Sequence, residues 1–347
     1  RRMQFRTLGH SGLKVSALSF GAWQLGDLAY WGPHTPAQAA DTVRVAIDHG
    51  INLFDTAEVY GNGASEHVLG QALGADRQRV LIATKVMPQN CTPQRLRASC
   101  EGSLKRLGTD YIDLFQIHWP FRQKPVRDTQ GQPLKEEPNV MEACEMLRTL
   151  QGEGKIRAIG VSNFGNEDLD DWFFQGTAES NQVGYNIVSR AAEYELIPSS
   201  RAHQLGVLVY MPLLQGLLAV HWNTVEDIPI ARRRTRHFAG HRDGVRHGGA
   251  GVEGLLLETI LALREYSAAI GVPMATMCLC WVLAQPGVTS AIIGARKPEQ
   301  LARNLQAATF NMGPAVIARL NEISAPLKVA MGKNADLWQD EDTSRIG

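Results

Sequence analysis

Four residues, Asp55, Tyr60, Lys85 and His118, carry the chemistry this sequence offers. Each stands at or just past the end of a short apolar run. The runs are "INLFDTA", "VLIATKV" and "IDLFQIHW", and Tyr60 follows Asp55 by five residues. A phenol titrates at about 10 and is a weak acid at neutral pH. An ammonium beside it favours the phenolate and lowers that value. A carboxylate paired with the lysine holds it charged and in place. Tyr60 in such a setting gives a proton to a carbonyl oxygen and recovers it in the reverse direction. His118 orients the carbonyl and stabilises developing negative charge. The set suits hydride transfer to an aldehyde or ketone when a hydride donor lies beside it. Taken singly, each residue has a plainer use: Asp55 as a turn cap, Lys85 reaching for solvent, His118 half-buried against Trp119. Asp113 and Glu58 offer a competing pair of carboxylates, the arrangement of a barrel glycosidase.

These residues need a scaffold that gathers strand ends. Eight apolar runs recur along the chain: "VSALSFG", "INLFDTA", "VLIATKV", "IDLFQIHW", "IRAIGVSNF", "NQVGYNI", "GVLVYMPL" and "SAIIGA". They are unbroken rather than alternating, as parallel strands covered on both faces are. Between the first six lie helical segments. Thr35-Pro36 and Thr92-Pro93 read as N-cap and N1 proline, and Gly50, Gly108 and Gly154 read as helix stops. Leu96, Cys100, Leu104 and Leu107 recur at helical spacing. Repeated β-α units without a break in composition predict one (β/α)8 barrel domain over residues 1–347, preceded by a hairpin in "FRTLGHSGLKVS". A doubly wound fold is disfavoured because no G-x-G-x-x-G follows the first strand. In a barrel the reacting residues sit at the C-terminal strand ends. The other ends here carry Ser162-Asn163, Gln182, Tyr210 and Gly294-Arg296. Residues 221–254 form a long loop after the seventh strand, and its "GGAGVEG" reads as part of that loop. The loop holds Arg232, Arg233, Arg234 and Arg236, and its place after a strand sets it over the same face.

Composition narrows the field. The 347 residues hold 35 basic and 35 acidic side chains, for a net charge of zero, so nothing points to nucleic acid as a partner. The most apolar long run, "GVLVYMPLLQGLLAVHW", is interrupted by Pro212, Gln215 and Gly216 and is too broken for a membrane span. Met3 reads as a natural start, and "RRMQFRTLGHSG" lacks the apolar core of a signal peptide. Five cysteines without C-x-x-C spacing suggest a reduced, cytoplasmic protein. The histidines of "HFAGHRDGVRH" match no common metal-site spacing, so no metal is expected. Trp23, Trp31, Trp119 and Phe121 fall near the predicted active face as candidate pocket walls.

The segments "INLFDTAEVYG", "ATK", "YIDLFQIHWP", "GKIRAIGVSNF", "QVGYN", "MPLLQGLL" and "IIGARKPEQLARN" occur in the order and spacing of one family. The chain resembles the aldo-keto reductases over nearly its whole length. That resemblance implies a barrel oxidoreductase that uses NADP(H), with NADH as the alternative, and acts on aldehyde, ketone or sugar-like carbonyls. Asp55, Tyr60, Lys85 and His118 match the family's catalytic tetrad. Ser162, Asn163 and Gln182 match residues that hold the nicotinamide carboxamide, and Tyr210 matches the aromatic stacked on that ring. Gly21, Ala22, Trp23, Met211, Leu213, Gln215 and Gly216 fall in cofactor-lining segments. Gly294, Ala295, Arg296, Gln300 and Asn304 match the segment around the adenosine phosphate. The substrate pocket is expected from Trp23, Trp31, Tyr60, His118 and Trp119. The chain departs from the common pattern at Ile293, Ala295 and Arg303. Some relatives bind nucleotide as regulatory subunits, which makes a nucleotide sensor with little turnover the competing reading.

Overall fold

Strands form where β-branched and aromatic residues bury both faces of the chain. In the computed structural model, which describes residues 3–347, there are ten. They are β1 (Phe5–Thr7), β2 (Lys14–Ser16), β3 (Leu18–Gly21), β4 (Leu53–Asp55), β5 (Leu81–Val86), β6 (Ile112–Ile117), β7 (Ile156–Ser162), β8 (Ser180–Gly184), β9 (Gly206–Tyr210) and β10 (Val288–Gly294). Arg1 and Arg2, which precede the expected start at Met3, lie outside the described residues. Strands β1 and β2 pair antiparallel as the hairpin. Strands β3 to β10 are parallel and close in chain order, with β10 returning to β3. The architecture is the expected (β/α)8 barrel.

Helices surround it. Pro36–Asp48 begins at Thr35, whose hydroxyl accepts from Gln38 N while the Gln38 side chain reaches back to Thr35 N, a reciprocal cap. Pro93–Leu107 ends at Gly108, left-handed at φ 64°, where a side chain would be strained. Ala64–Leu73, Val140–Gly152, Asn166–Gln175 and Leu196–Ala202 continue the ring. Glu253–Ile270, Met274–Ala284, Pro298–Leu305 and Pro314–Met331 complete it. Among the described residues no single helix is long and apolar enough to cross a membrane. Between β9 and Glu253 there is no α-helix, only short 3-10 turns at Leu214–Ala219, Val225–Asp227 and Ile230–Arg232, the last two within the arginine-rich stretch. That stretch ends at Val252, so the last two residues of "GGAGVEG" already belong to the next helix.

Two apolar layers hold the barrel. Outward residues such as Phe54, Ile82, Phe115 and Ile159 pack beneath the helices. Inward residues Leu53, Ala83, Leu114, Ala158, Leu208 and Ile292 fill the lower barrel together with Leu8, Leu13 and Val15 of the hairpin. The hairpin thus stoppers the N-terminal end, and the opposite end stays free for polar groups.

Candidate active site

Side chains alternate along a strand, so the residue two beyond an inward apolar one is inward again and one layer higher. Leu53 is followed by Asp55, Ala83 by Lys85, Leu114 by Gln116 and then His118, and Leu208 by Tyr210. Register brings them level: Gly21 pairs with Asp55, Lys85 with Gln116, Ser162 with Gln182, and Gly294 with Gly21. The upper barrel layer is therefore polar because of the same period that makes the lower layer apolar.

Lys85 Nζ lies 2.6 Å from Asp55 Oδ2, 2.9 Å from Thr56 O and 3.3 Å from Tyr60 Oη. Both members of the ion pair are buried, with side chains 1% and 5% exposed. Burial acts to discharge Lys85, but Asp55 and Tyr60 outweigh it and hold the ammonium above its ordinary value. Tyr60 departs from the sequence expectation. Burial raises its phenol above the usual value; Lys85 pulls it down, and Asp55 pushes it up again. The lysine limits the rise and does not produce a net fall. His118 anchors its backbone N to Val86 O at 2.9 Å, and its ring meets Tyr60 edge-on with centroids 5.9 Å apart. Burial, then Lys85 and Arg345, hold its imidazole well below the usual value, so it is neutral at pH 7. Its Nδ1 is buried with no protein partner.

The turn that carries Tyr60 inward uses consecutive positive φ values at Gly61, Asn62 and Gly63, 57°, 53° and 91°. A Cβ on Gly61 would lie 2.7 Å from Gly26 O, so this turn demands glycine there.

Above this layer opens a cavity of about 1040 Å3. Its wall includes Gly21, Trp23, Trp31, Asp55, Tyr60, His118, Trp119, Ser162, Asn163, Gln182 and Tyr210. It continues past Met211, Leu213, Gln215 and Gly216 to Gly294, Arg296, Gln300 and Asn304. Three of the expected residues stand off this wall. Ala22 and Ala295 are buried beneath it, and Lys85 lies behind Asp55 and Tyr60. Phe121 packs against the helix-side core. Of the arginine-rich stretch, Arg232, Arg234 and Arg246 line the cavity. Arg236 instead donates to Met331 O, Asn334 O and Asp336 O. Arg233 donates to Val225 O.

Several contacts refine individual residues. Gln182 Nε2 donates to Asp55 Oδ1 at 2.7 Å, so it steadies the carboxylate as well as facing the cavity. Asn163, at φ 62°, donates to His118 O and accepts from Tyr210 Oη at 2.7 Å. Tyr30 Oη donates to Ala231 O at 2.6 Å and lies 3.1 Å from Gln215 Oε1, tying the turn after β3 to both loops beyond β9. The competing carboxylates are elsewhere. Asp113, at the lower end of β6, is taken up by Arg77, Arg157 and Ile82 N. Glu58 accepts from Met87 N and Asn90.

Sequence reasoning missed Gln24, Tyr30, Gln116, Trp338 and Arg345. Gln116 was hidden inside an apolar run, where the alternation of β6 would have revealed it. Trp338 and Arg345 lie in the C-terminal tail, beyond the last strand. A tryptophan and an arginine in the otherwise acidic "DLWQDEDTSRIG" were the available signal.

The aldo/keto reductase family model matches residues 17–325. Aldo-keto reductase YhdN of Bacillus subtilis is 31% identical over 314 residues, 86% of this chain and 87% of that protein. The NADH-specific methylglyoxal reductase of Escherichia coli is 29% identical, across 92% of this chain and 98% of its own. A crystal structure of an aldo-keto reductase from Klebsiella pneumoniae in complex with NADPH superposes with a TM-score of 0.70 at 27% identity, covering 93% of this chain and 96% of that one. With family match, fold and barrel-end polar layer in agreement, the chain belongs to the aldo/keto reductase family.

Proposed function

We propose that the protein is an NADP(H)-dependent carbonyl reductase in which Tyr60 is the general acid and base. One observation carries this reading: the buried Asp55–Lys85 pair ends on the Tyr60 hydroxyl, and that hydroxyl opens on the cavity. The cavity fits a dinucleotide with its phosphates. Arg232, Arg234, Arg246, Arg296 and Arg303 line it without a carboxylate partner, and Asp55 is its one lining acid among the described residues. The NADPH complex of the Klebsiella pneumoniae relative supports that cofactor, and the NADH-specific Escherichia coli relative keeps NADH as the alternative. Arg296 and Arg303, both on the cavity wall, would hold a 2′-phosphate. Gln300 and Asn304 would face the adenosine. Ser162, Asn163 and Gln182 would hold the carboxamide, with Tyr210 against the ring. Reduced nicotinamide bound there supplies the hydride.

The chain's own residues do the rest. Neutral His118 hydrogen-bonds the carbonyl oxygen and orients it. Tyr60, kept protonated by burial, passes its hydroxyl proton to that oxygen as negative charge develops. Lys85 stabilises the phenolate left behind, and Asp55 with Gln182 fixes Lys85. Trp23, Trp31 and Trp119 exclude water around the carbonyl. Five buried, free cysteines fit a reducing, cytoplasmic setting.

Titration with NADPH and NADH, followed by a panel of aldehydes and ketones, tests the reading. NADPH binding with carbonyl turnover is the expected result. Tyr60→Phe should lower kcat by about 100- to 10,000-fold while NADPH still binds. Tight NADPH binding with no turnover would select the regulatory reading instead, and no nicotinamide binding at all would overturn both.

A further inference from the structure

The tail after the last helix returns across the barrel mouth. Arg345 lies over the Trp119 ring, its guanidinium carbon 3.6 Å from the centroid, and the Trp338 ring is 5.6 Å from the same carbon. Trp338 in turn lies parallel to Tyr210 at 6.3 Å. Fully buried Asp336 fixes the arginine: its Oδ2 accepts from Arg345 Nε and its Oδ1 from Nη2, each at 2.8 Å. Among the described residues Nη1 has no protein acceptor, and Arg345 and Trp338 both belong to the cavity wall.

Charge separates this end from the other. Of the six arginines lining the cavity, only Arg345 is ion-paired. The unpaired five suit phosphates. Around Tyr60 the balance is even, Lys85 against Asp55 and Arg345 against Asp336. A carboxylate placed there would face Asp336 and Asp55 without a surplus cation. An uncharged oxygen faces no such penalty and can accept from Nη1. The indoles of Trp119 and Trp338 add apolar walls against which C–H faces of a hydroxylated chain pack.

We infer that Arg345 is a specificity-determining residue whose free Nη1 donates to a hydroxyl remote from the reacting carbonyl, so that the preferred substrates are uncharged, hydroxylated aldehydes and ketones. This rests on the carbonyl-reductase reading given above. Within that reading Arg345 takes no part in the proton transfer; it selects by holding the far end of the substrate. A site built to bond a hydroxyl leaves that donor unsatisfied when the analogue lacks it.

Three four-carbon aldehydes separate the cases: erythrose, butyraldehyde and succinic semialdehyde, assayed with NADPH and the full-length protein. The wild type should prefer erythrose in kcat/KM, chiefly through a lower KM. Arg345→Gln should shrink the erythrose-to-butyraldehyde ratio by about tenfold or more, the worth of a charge-assisted hydrogen bond. Because that change strands Asp336, the double variant Asp336→Asn/Arg345→Gln is measured in parallel, and the same loss is expected. An unchanged ratio in the double variant, or wild-type preference for succinic semialdehyde, overturns the inference. If no aldehyde is turned over, the reductase reading falls on its own, and tryptophan fluorescence of the NADPH-treated protein decides the tail's role. A saturable response to erythrose that the double variant loses supports it, and no response in the wild type refutes it.

Discussion

At the residue scale, the site is governed by burial more than by pairwise attraction. Tyr60 sits beside an ammonium and still titrates above a free phenol, because desolvation of the phenolate outweighs Lys85. A raised value suits the proton-donor role proposed for it. His118 is pushed the other way and stays neutral. The pH profile of carbonyl reduction should therefore show no inflection near the ordinary histidine value of about 6.5. A clear break there in kcat/KM would show His118 titrating and would remove it as the neutral donor. Asp55 offers a second check. It is 3% exposed and accepts from both Lys85 and Gln182. Asp55→Ala leaves a buried ammonium without its counter-charge, so unfolding in denaturant should show a loss of about 3–5 kcal/mol. Activity should fall as well, because Lys85 loses the charge that keeps it protonated.

At the scale of elements, the arginine-rich stretch and the C-terminal tail act as one unit. Arg236 donates to two tail carbonyls, Asn334 O and Asp336 O, and to Met331 O at the end of the last helix, and its own N donates to Leu337 O at 2.7 Å. Removing the guanidinium in Arg236→Ala should free residues 332–347, seen as faster hydrogen exchange there with the barrel strands unchanged. The same stretch holds a buried histidine. His237 Nε2 donates to Val188 O, its Nδ1 accepts from Thr235 Oγ1, and burial pushes its value down to about 4. A lowered histidine stabilises the fold fully above the unfolded value of about 6.5 and progressively less as pH falls towards 4, since the unfolded chain takes up the proton first. The shift corresponds to about 3 kcal/mol. Denaturant stability should thus slope downward between pH 6.5 and 4, and His237→Gln should flatten that slope. The regular helices read easily in the sequence because one face is apolar and caps mark the ends, as at Thr35 and Gly108. Met274–Ala284 did not, because it is buried nearly all round and its apolar residues show no period. The tail was invisible for a different reason: it has no regular structure, and only contacts with distant residues fix it.

At the scale of the whole molecule, the barrel divides its labour between two ends. The hairpin closes one with Leu8, Leu13 and Val15, and the polar layer and cavity occupy the other. Stability and activity should accordingly separate. Leu8→Ala, at a fully buried position, should cost about 2–5 kcal/mol while kcat per folded molecule holds; an equal fall in both would show that the two ends are coupled. By itself the sequence determined the eight parallel strands and the family, and it singled out Asp55, Tyr60, Lys85 and His118 as candidates. Strand periodicity and the local turn around Gly61 are encoded within a few residues, and strand ends in such a barrel converge by construction. Only the tertiary structure decided the direction of the Tyr60 shift, the attachment of Gln182 to Asp55, and the arrival of Arg345 and Trp338 beside Trp119. Each of these depends on what surrounds a group in space: desolvation is a property of the packed site, and the tail meets the barrel mouth across more than two hundred residues of chain.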